Sequence, residues 1–203
     1  MNINSACILE DRGILFVDGI DAKDFLQNII TNNLDKISDN QSIYSSLLTA
    51  QGKYLFDFIL VKHKKGYLID CEKIELENLI KTFKVYKLRS KVEILNLSDE
   101  FTVASFSYEK YLSLENNQTP GFTFKYREDS ILLDPRNIKL GARLISNLEK
   151  LYMSLKKLDL KSGQKVLDIG CGWGGMVFEI ARQSQCEVMG ISLSENQINY
   201  CKK

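Results

Sequence analysis

The stretch "SIYSSLLTAQGKYLFDFILVKHKKGYLIDC", residues 42–71, carries three apolar runs separated by the turn candidates "QGK" and "HKKG". That spacing predicts an antiparallel meander, because runs this short joined by loops this tight reverse direction each time. Upstream, "ILEDRGILFVDG" (8–19) reads as two short strands around a turn at Asp11 to Gly13. "DAKDFLQNII" then begins with Asp21 as an N-cap and sets Ala22, Phe25, Leu26, Ile29 and Ile30 at helical spacing. Downstream, "KIELENLIKTFKVYKL" places Ile74, Leu76, Leu79, Ile80 and Phe83 on one helical stripe, and "KVEILNL" returns to strand. The order predicts an α+β domain with helices on one face of a mainly antiparallel sheet.

From Phe101 to Ser146 the β-like runs "FTVASFS", "ILLD" and "ARLIS" are broken by the polar loop "SLENNQTPG" and the turn "DPRN". Near Ser146 to Leu158 the character changes. "NLEKLYMSLKKL" is a charged helix, and a strand, Gly loop, helix, strand, helix order follows it. We expect two domains, 1–148 and 149–203, with the second the less stable, since a two-stranded sheet buries little apolar area and leaves an edge unpaired.

The whole-chain numbers exclude several classes. With 27 basic against 26 acidic residues, no overall field draws the chain to nucleic acid or an anionic membrane. Five cysteines, at 7, 71, 171, 186 and 201, form no CxxC pair, and with one histidine they make no metal-ligand pattern, so no metal is expected and a reduced, cytoplasmic setting is. The N-terminus lacks the basic and apolar regions of a signal peptide, and no apolar run approaches the roughly 20 residues that span a bilayer.

Four pieces of the first 145 residues, "GIDAKDFLQNIITNNL", "LLTAQGKYLFDFIL", "YKLRSKVEI" and "DPRNIKLGARL", taken in order, resemble the YgfZ family, the folate-binding relatives of the glycine-cleavage aminomethyltransferase that help maintain iron–sulfur enzymes. The resemblance implies a YgfZ/GcvT-like fold, a tetrahydrofolate cleft around Thr49 to Asp57, and iron–sulfur proteins or tRNA as partners. Folate contacts are expected from Thr49, Gln51, Gly52, Lys53, Asp57 and Arg89. A carboxylate on an apolar strand can grip a pterin in a bidentate way, and Asp57 is the candidate; the plainer alternative leaves it facing solvent between Phe56 and Phe58. Lys62, Lys64 and Lys65, with Lys84, Lys87, Arg89 and Lys91, could hold a polyglutamate tail or an RNA backbone, or simply form a solvated face. His63 reads as an exposed loop residue and Cys71 as a small core residue. The family's Lys-Gly-Cys-Tyr-x-Gly-Gln-Glu signature is absent, so its cysteine chemistry is not expected.

"KVLDIGCGWGGMVFEIARQSQCEVMGISLSENQINYCKK" (165–203) looks like the start of a class I S-adenosylmethionine-dependent methyltransferase, most similar to cyclopropane-fatty-acyl-phospholipid synthases. Asp168 ends the strand, Gly170, Cys171, Gly172, Trp173 and Gly174 form the turn, and a Cβ at its glycines would collide with the approaching cofactor. Gly170, Gly172 and Gly175 also satisfy GxGxxG, but the ribose-binding acid expected about twenty residues on is Ser192. A hydroxyl there with a glutamine five residues later, Ser192 and Gln197, matches the cyclopropane synthase group. The strands that would complete a methyltransferase sheet are not in 165–203, so the segment reads as a partial Rossmann-like βαβα fragment. It has a cofactor loop but no expected catalysis. Two other readings are carried: a methyltransferase acting on unsaturated phospholipid acyl chains, and a non-catalytic interaction protein.

Overall fold

The computed structural model describes residues 7–126, 129–147, 162–163, 165–169, 181 and 185–191. The chain divides into two compact units, Met1–Leu148 and Glu149–Lys203. The first contains β1 (Cys7–Ile8), β2 (Arg12–Asp18), α1 (Ala22–Ile29), β3 (Ile43–Leu48), β4 (Tyr54–His63), β5 (Gly66–Glu72), α2 (Leu76–Lys87), β6 (Glu93–Asn96), β7 (Phe101–Phe106), α3 (Tyr108–Leu112), β8 (Thr123–Tyr126), β9 (Asp129–Leu133) and β10 (Ala142–Asn147). It is a mixed α and β fold built on two antiparallel sheets, as the α+β expectation requires.

The first sheet has the order β3-β4-β5-β2-β6, all antiparallel, so the meander of residues 42–71 forms as read. The turn at "HKKG" is tight: His63 pairs with Gly66, and Lys64 takes φ +51°. Alternation along the strands sorts their side chains to two faces. Leu15, Val17, Phe56, Phe58, Leu60, Tyr67, Ile69 and Cys71 join Phe25, Leu26, Leu79 and Phe83 of α1 and α2 in one core. Phe83 meets Phe25 and Phe58 edge-on at 5.7 and 6.2 Å. That geometry is worth about 0.5–1.5 kcal/mol per pair beyond the area buried.

The opposite face of this sheet is also covered. A second antiparallel sheet, β1-β7-β10-β9-β8, packs Val103, Leu132 and Ile145 against Ile14, Ile59, Val61 and Leu68. Its outer face buries Phe106, Ile131, Leu133 and Ala142 with Tyr111 of α3. The unit is therefore layered: two helices, sheet, sheet, helix. Gly141 makes the entry to β10 possible, since it sits at φ +79° and a Cβ there would stand 2.1 Å from the Phe106 carbonyl oxygen.

Three local expectations are corrected. Ile74 is 84% exposed, because residues 73–75 form a separate 3-10 turn and the apolar stripe starts at Leu76. Asp21 occupies the N-cap position of α1 but makes no side-chain cap; its Oδ2 accepts the Lys91 backbone N–H at 2.7 Å instead. His63 ends β4 rather than lying in an exposed loop, and its ring stands edge-on between Phe16 and Phe101, at 5.8 and 5.7 Å, bridging the two sheets. Cys71 is a core residue.

The chain leaves α2 through a turn in which Ser90 N–H bonds to the Lys87 carbonyl at 2.8 Å. Its first central residue is Leu88, at φ +46° and ψ −111°. That is the glycine-preferring position of a type II′ turn, and a leucine held there costs on the order of 1–3 kcal/mol.

Between the sheets lies a chain of charges. Asp70, fully buried on β5, accepts Arg12 Nε at 2.7 Å on one oxygen and Arg143 Nη1 at 2.5 Å on the other. Arg143 Nε reaches on to Asp134 Oδ2 at 3.2 Å, and Arg136 grips Asp134 with Nε at 3.0 Å and Nη2 at 2.7 Å. β2, β5, β10 and the "DPRN" turn are thus tied by one network. Among the described residues no buried side-chain nitrogen or oxygen lacks a partner.

In the second unit, β11 (Lys165–Ile169) and β12 (Glu187–Ile191) pair in parallel, Asp168 opposite Gly190. An exposed Lys165–Glu187 contact at 3.4 Å joins their first residues, and Cys186 is buried. Asn147, the expected start of a helix, is the last residue of β10, and Ala181 is helical; the rest of the expected helices at 147–158 and after Gly175 lies outside the described residues.

Asp70→Ala leaves Arg12 and Arg143 without their shared carboxylate in a buried layer, and we expect a loss of about 3–5 kcal/mol. Urea unfolding of the full chain followed by circular dichroism checks this. A loss below about 1 kcal/mol would mean that water reaches the pair.

Candidate functional site

The meander's first connection brings a loop and a carboxylate to one end of the first sheet. In the loop, Thr49 N–H donates to the Lys53 carbonyl at 2.7 Å and Gly52 N–H to the Thr49 carbonyl at 2.9 Å. Thr49 Oγ1 accepts the backbone N–H groups of Gln51 and Lys53 at 3.2 and 3.1 Å. The loop's own backbone therefore occupies the Thr49 hydroxyl oxygen, while Gln51, Gly52 and Lys53 are exposed. Gly52 takes φ +79° with open space where a Cβ would stand, so the turn geometry calls for glycine there and no neighbour does.

Asp57 lies on β4 opposite Ser46, on the face shared with Ile59 and Val61. It does not simply face solvent. Tyr44 OH donates to one carboxylate oxygen at 2.9 Å and Tyr54 OH to the other at 2.6 Å. A carboxylate offers about four acceptor positions, so two remain for a further donor pair. The Asp57 bond, then burial, pushes the Tyr54 phenol up to about 12. Burial first and Asp57 second raise Tyr44, with Arg136's positive charge pulling the other way.

Arg136 extends the site. Its bond to Asp134 raises the guanidinium's pKa, and the charges of Asp70 and Asp57 add to that effect. Burial alone would push the Asp134 carboxyl up, yet the hydrogen bonds from Arg136 and the charges of Arg136 and Arg143 outweigh it and hold it below the ordinary value. Arg136 is 31% exposed on its side chain, so its charge stays available to an anion.

A narrow cleft beside Asp57 is lined by Tyr54, Phe56, Cys71, Glu72 and Leu79. Burial, helped by the Asp70 charge, pushes the Cys71 thiol up to about 12, and its Sγ approaches the Gly13 carbonyl at 3.7 Å. Such a thiol stays protonated and is no nucleophile. No group of three or more metal-ligating side chains occurs among the described residues.

Arg89 stands elsewhere, beyond the end of α2, where it lines a shallow depression with Asp21, Leu88 and Ser90. Of the basic cluster near β4, Lys62 lies over the Tyr67 ring at 4.6 Å. Of the residues expected to hold S-adenosylmethionine, Asp168 lies on β11, one residue before its end. Gly170, Cys171, Gly172, Trp173, Gly174, Ser192 and Gln197 lie outside the described residues.

The sequence reading missed Tyr44, Tyr54 and the ionic chain of Arg12, Asp70, Arg143, Asp134 and Arg136. A signal was present: Asp70 in "YLIDC" and Arg143 in "GARLIS" are charges inside apolar runs, like Asp57 in "LFDFIL".

Comparison with known proteins supports both resemblances. The chain is 29% identical to an iron–sulfur cluster assembly factor IBA57 homolog, mitochondrial, of Dictyostelium discoideum, over 68% of this chain and 40% of that protein. Residues 145–203 match the mycolic acid cyclopropane synthetase family. The S-adenosylmethionine-dependent methyltransferase UmaA of Mycobacterium tuberculosis is 35% identical over 46% of this chain and 30% of its own length. Among solved structures, the glycine cleavage system aminomethyltransferase T of Bartonella henselae superposes with a TM-score of 0.61 at 14% identity, covering 75% of this chain and 44% of that one, and so shares the fold. The chain spans less than half the length of each of these proteins. No helix among the described residues is long and apolar enough to cross a membrane.

Two measurements test the electrostatics. In Asp57→Asn the Tyr54 phenol should titrate well below the value of about 12 it has in the native chain, read by NMR of labelled tyrosine; an unchanged titration would mean that burial alone holds it. Asp134 binds fewer protons folded than unfolded in the acid range. Its stabilisation is therefore complete above the ordinary carboxyl value and fades as pH falls through the lower folded value. Urea midpoints followed into acid should show that loss, and in Arg136→Met, where the folded value rises toward the unfolded one, the acid-dependent loss should shrink or reverse while the chain is less stable at neutral pH.

Proposed function

We propose that the first unit binds a reduced folate beside Asp57 and that the chain serves iron–sulfur protein assembly, as its assembly-factor relatives are named to do. One observation carries the reading: a carboxylate fixed by two tyrosine hydroxyls, with acceptor positions to spare. The donor set fits the group. A pterin presents adjacent N–H donors that a carboxylate can pair with in parallel, Tyr54 supplies a flat face, and Arg136 supplies a positive charge for the glutamate end. Thr49 to Lys53 border the cleft's open side in this proposal. The fold shared with an aminomethyltransferase supports it.

Within this reading the Tyr44 and Tyr54 hydroxyls orient the carboxylate and Asp57 orients the ligand. The cysteine pattern, five residues with no CxxC pair, supports a reducing compartment. The second unit supports an S-adenosylmethionine-type site as a separate function, because ligands of open α/β sheets bind beyond the carboxyl ends of parallel strands, and Asp168 stands at that end of β11. Residues Gly170 to Gly174, Ser192 and Gln197 would hold the cofactor there.

Titration calorimetry of the full chain with tetrahydrofolate should give weak binding that drops about tenfold or more in Asp57→Ala, equivalent to roughly 1.4 kcal/mol. Tyr54→Phe should lose less, since Tyr44 still holds the carboxylate. Absence of heat at millimolar ligand would overturn the proposal.

A further inference from the structure

We propose that the turn after α2 is a docking knob for an acidic protein segment bearing aliphatic side chains. Leu88 is 87% exposed, Ile20 84% and Val85 67%, and none of the three is needed to fill a core. Leu88 and Asp21 line one shallow depression, and Ile20 immediately precedes Asp21. The backbone hydrogen bond between Asp21 and Lys91 ties the start of α1 to this turn. Leu88 therefore lines a concavity, with Ile20 next in sequence to its Asp21 wall.

The strain at Leu88 is a second, independent observation. Glycine would occupy φ +46°, ψ −111° without penalty, yet the position carries a large aliphatic side chain held out into water. Neither packing nor turn geometry accounts for that choice. A partner that buries the leucine does.

Charge identifies the partner. Lys84, Lys87, Arg89 and Lys91 surround Leu88 within eight residues, and among the described residues none of them makes an ion pair. A rim of unpaired cations around an aliphatic centre complements a segment of carboxylates around aliphatic anchors. Single-stranded RNA is a poorer fit, because bases are held by aromatic platforms, and here Tyr86 is only 38% exposed while the aliphatic Leu88 is 87% exposed.

The test uses the full chain and a labelled amphipathic peptide with leucines and glutamates at helical spacing, read by fluorescence anisotropy. We expect saturable binding that weakens with salt and falls about tenfold or more in Lys84→Glu/Lys91→Glu. Leu88→Gly should weaken it several-fold while thermal stability holds or rises. The glutamine version of the peptide should bind poorly. The proposal is overturned if Leu88→Gly lowers stability and leaves binding intact, or if the glutamine peptide binds equally well. It is likewise overturned if the peptide does not bind at all while a single-stranded RNA, phosphatidylserine vesicles or a second copy of the chain does so through Leu88.

Discussion

Asp70 is the point on which the first unit turns. Its two oxygens are shared between an arginine of its own sheet and an arginine of the facing sheet, beside a largely apolar layer. An isolated charge in that layer would be expensive, so the sheets can close only in the arrangement that brings Arg12 and Arg143 to the same carboxylate. Apolar contacts between sheets are non-directional and tolerate sliding; a hydrogen-bonded ion pair does not. The network supplies the directional constraint that the aliphatic layer lacks.

The candidate site inherits this geometry. Arg143 passes from Asp70 to Asp134, and Asp134 fixes Arg136 through two side-chain hydrogen bonds and one from its backbone N–H. Arg136 is therefore positioned by residues of both sheets, within electrostatic reach of Asp57 and Tyr44. A surface arginine without such anchoring would lose much of its effect to side-chain freedom and solvent screening. Here the same chain of charges that registers the sheets also sets the electrostatics of the cleft.

Leu88 is the opposite case, a residue whose local conformation disagrees with its type. At other places in the unit local preference and global fold agree: glycine stands at the crowded positive-φ position before β10, and the core residues of the first sheet alternate to match the pleat. Where that agreement fails on an exposed turn, the failure marks a place selected for something other than folding stability.

Much of the architecture was legible in the residue order. Short apolar runs separated by tight turns specified the meander, helical spacing specified α1 and α2, and Asp57 stood out as a charge inside an apolar strand. The continuous apolar runs "GILFV" and "FILV" also held information that the expectation of helices on one face did not use, since a strand buried on both faces has no polar alternation to show. What only the tertiary structure decided is which distant residues meet. Asp70 and Arg143 lie 73 positions apart and Tyr44 and Asp57 13 apart, in different strands whose pairing and facing set their distance. Sequence periodicity reports which face a side chain takes, because that is a property of the local backbone. It carries no record of what lies across the gap, because that depends on how two sheets, each satisfied on its own, stack against one another.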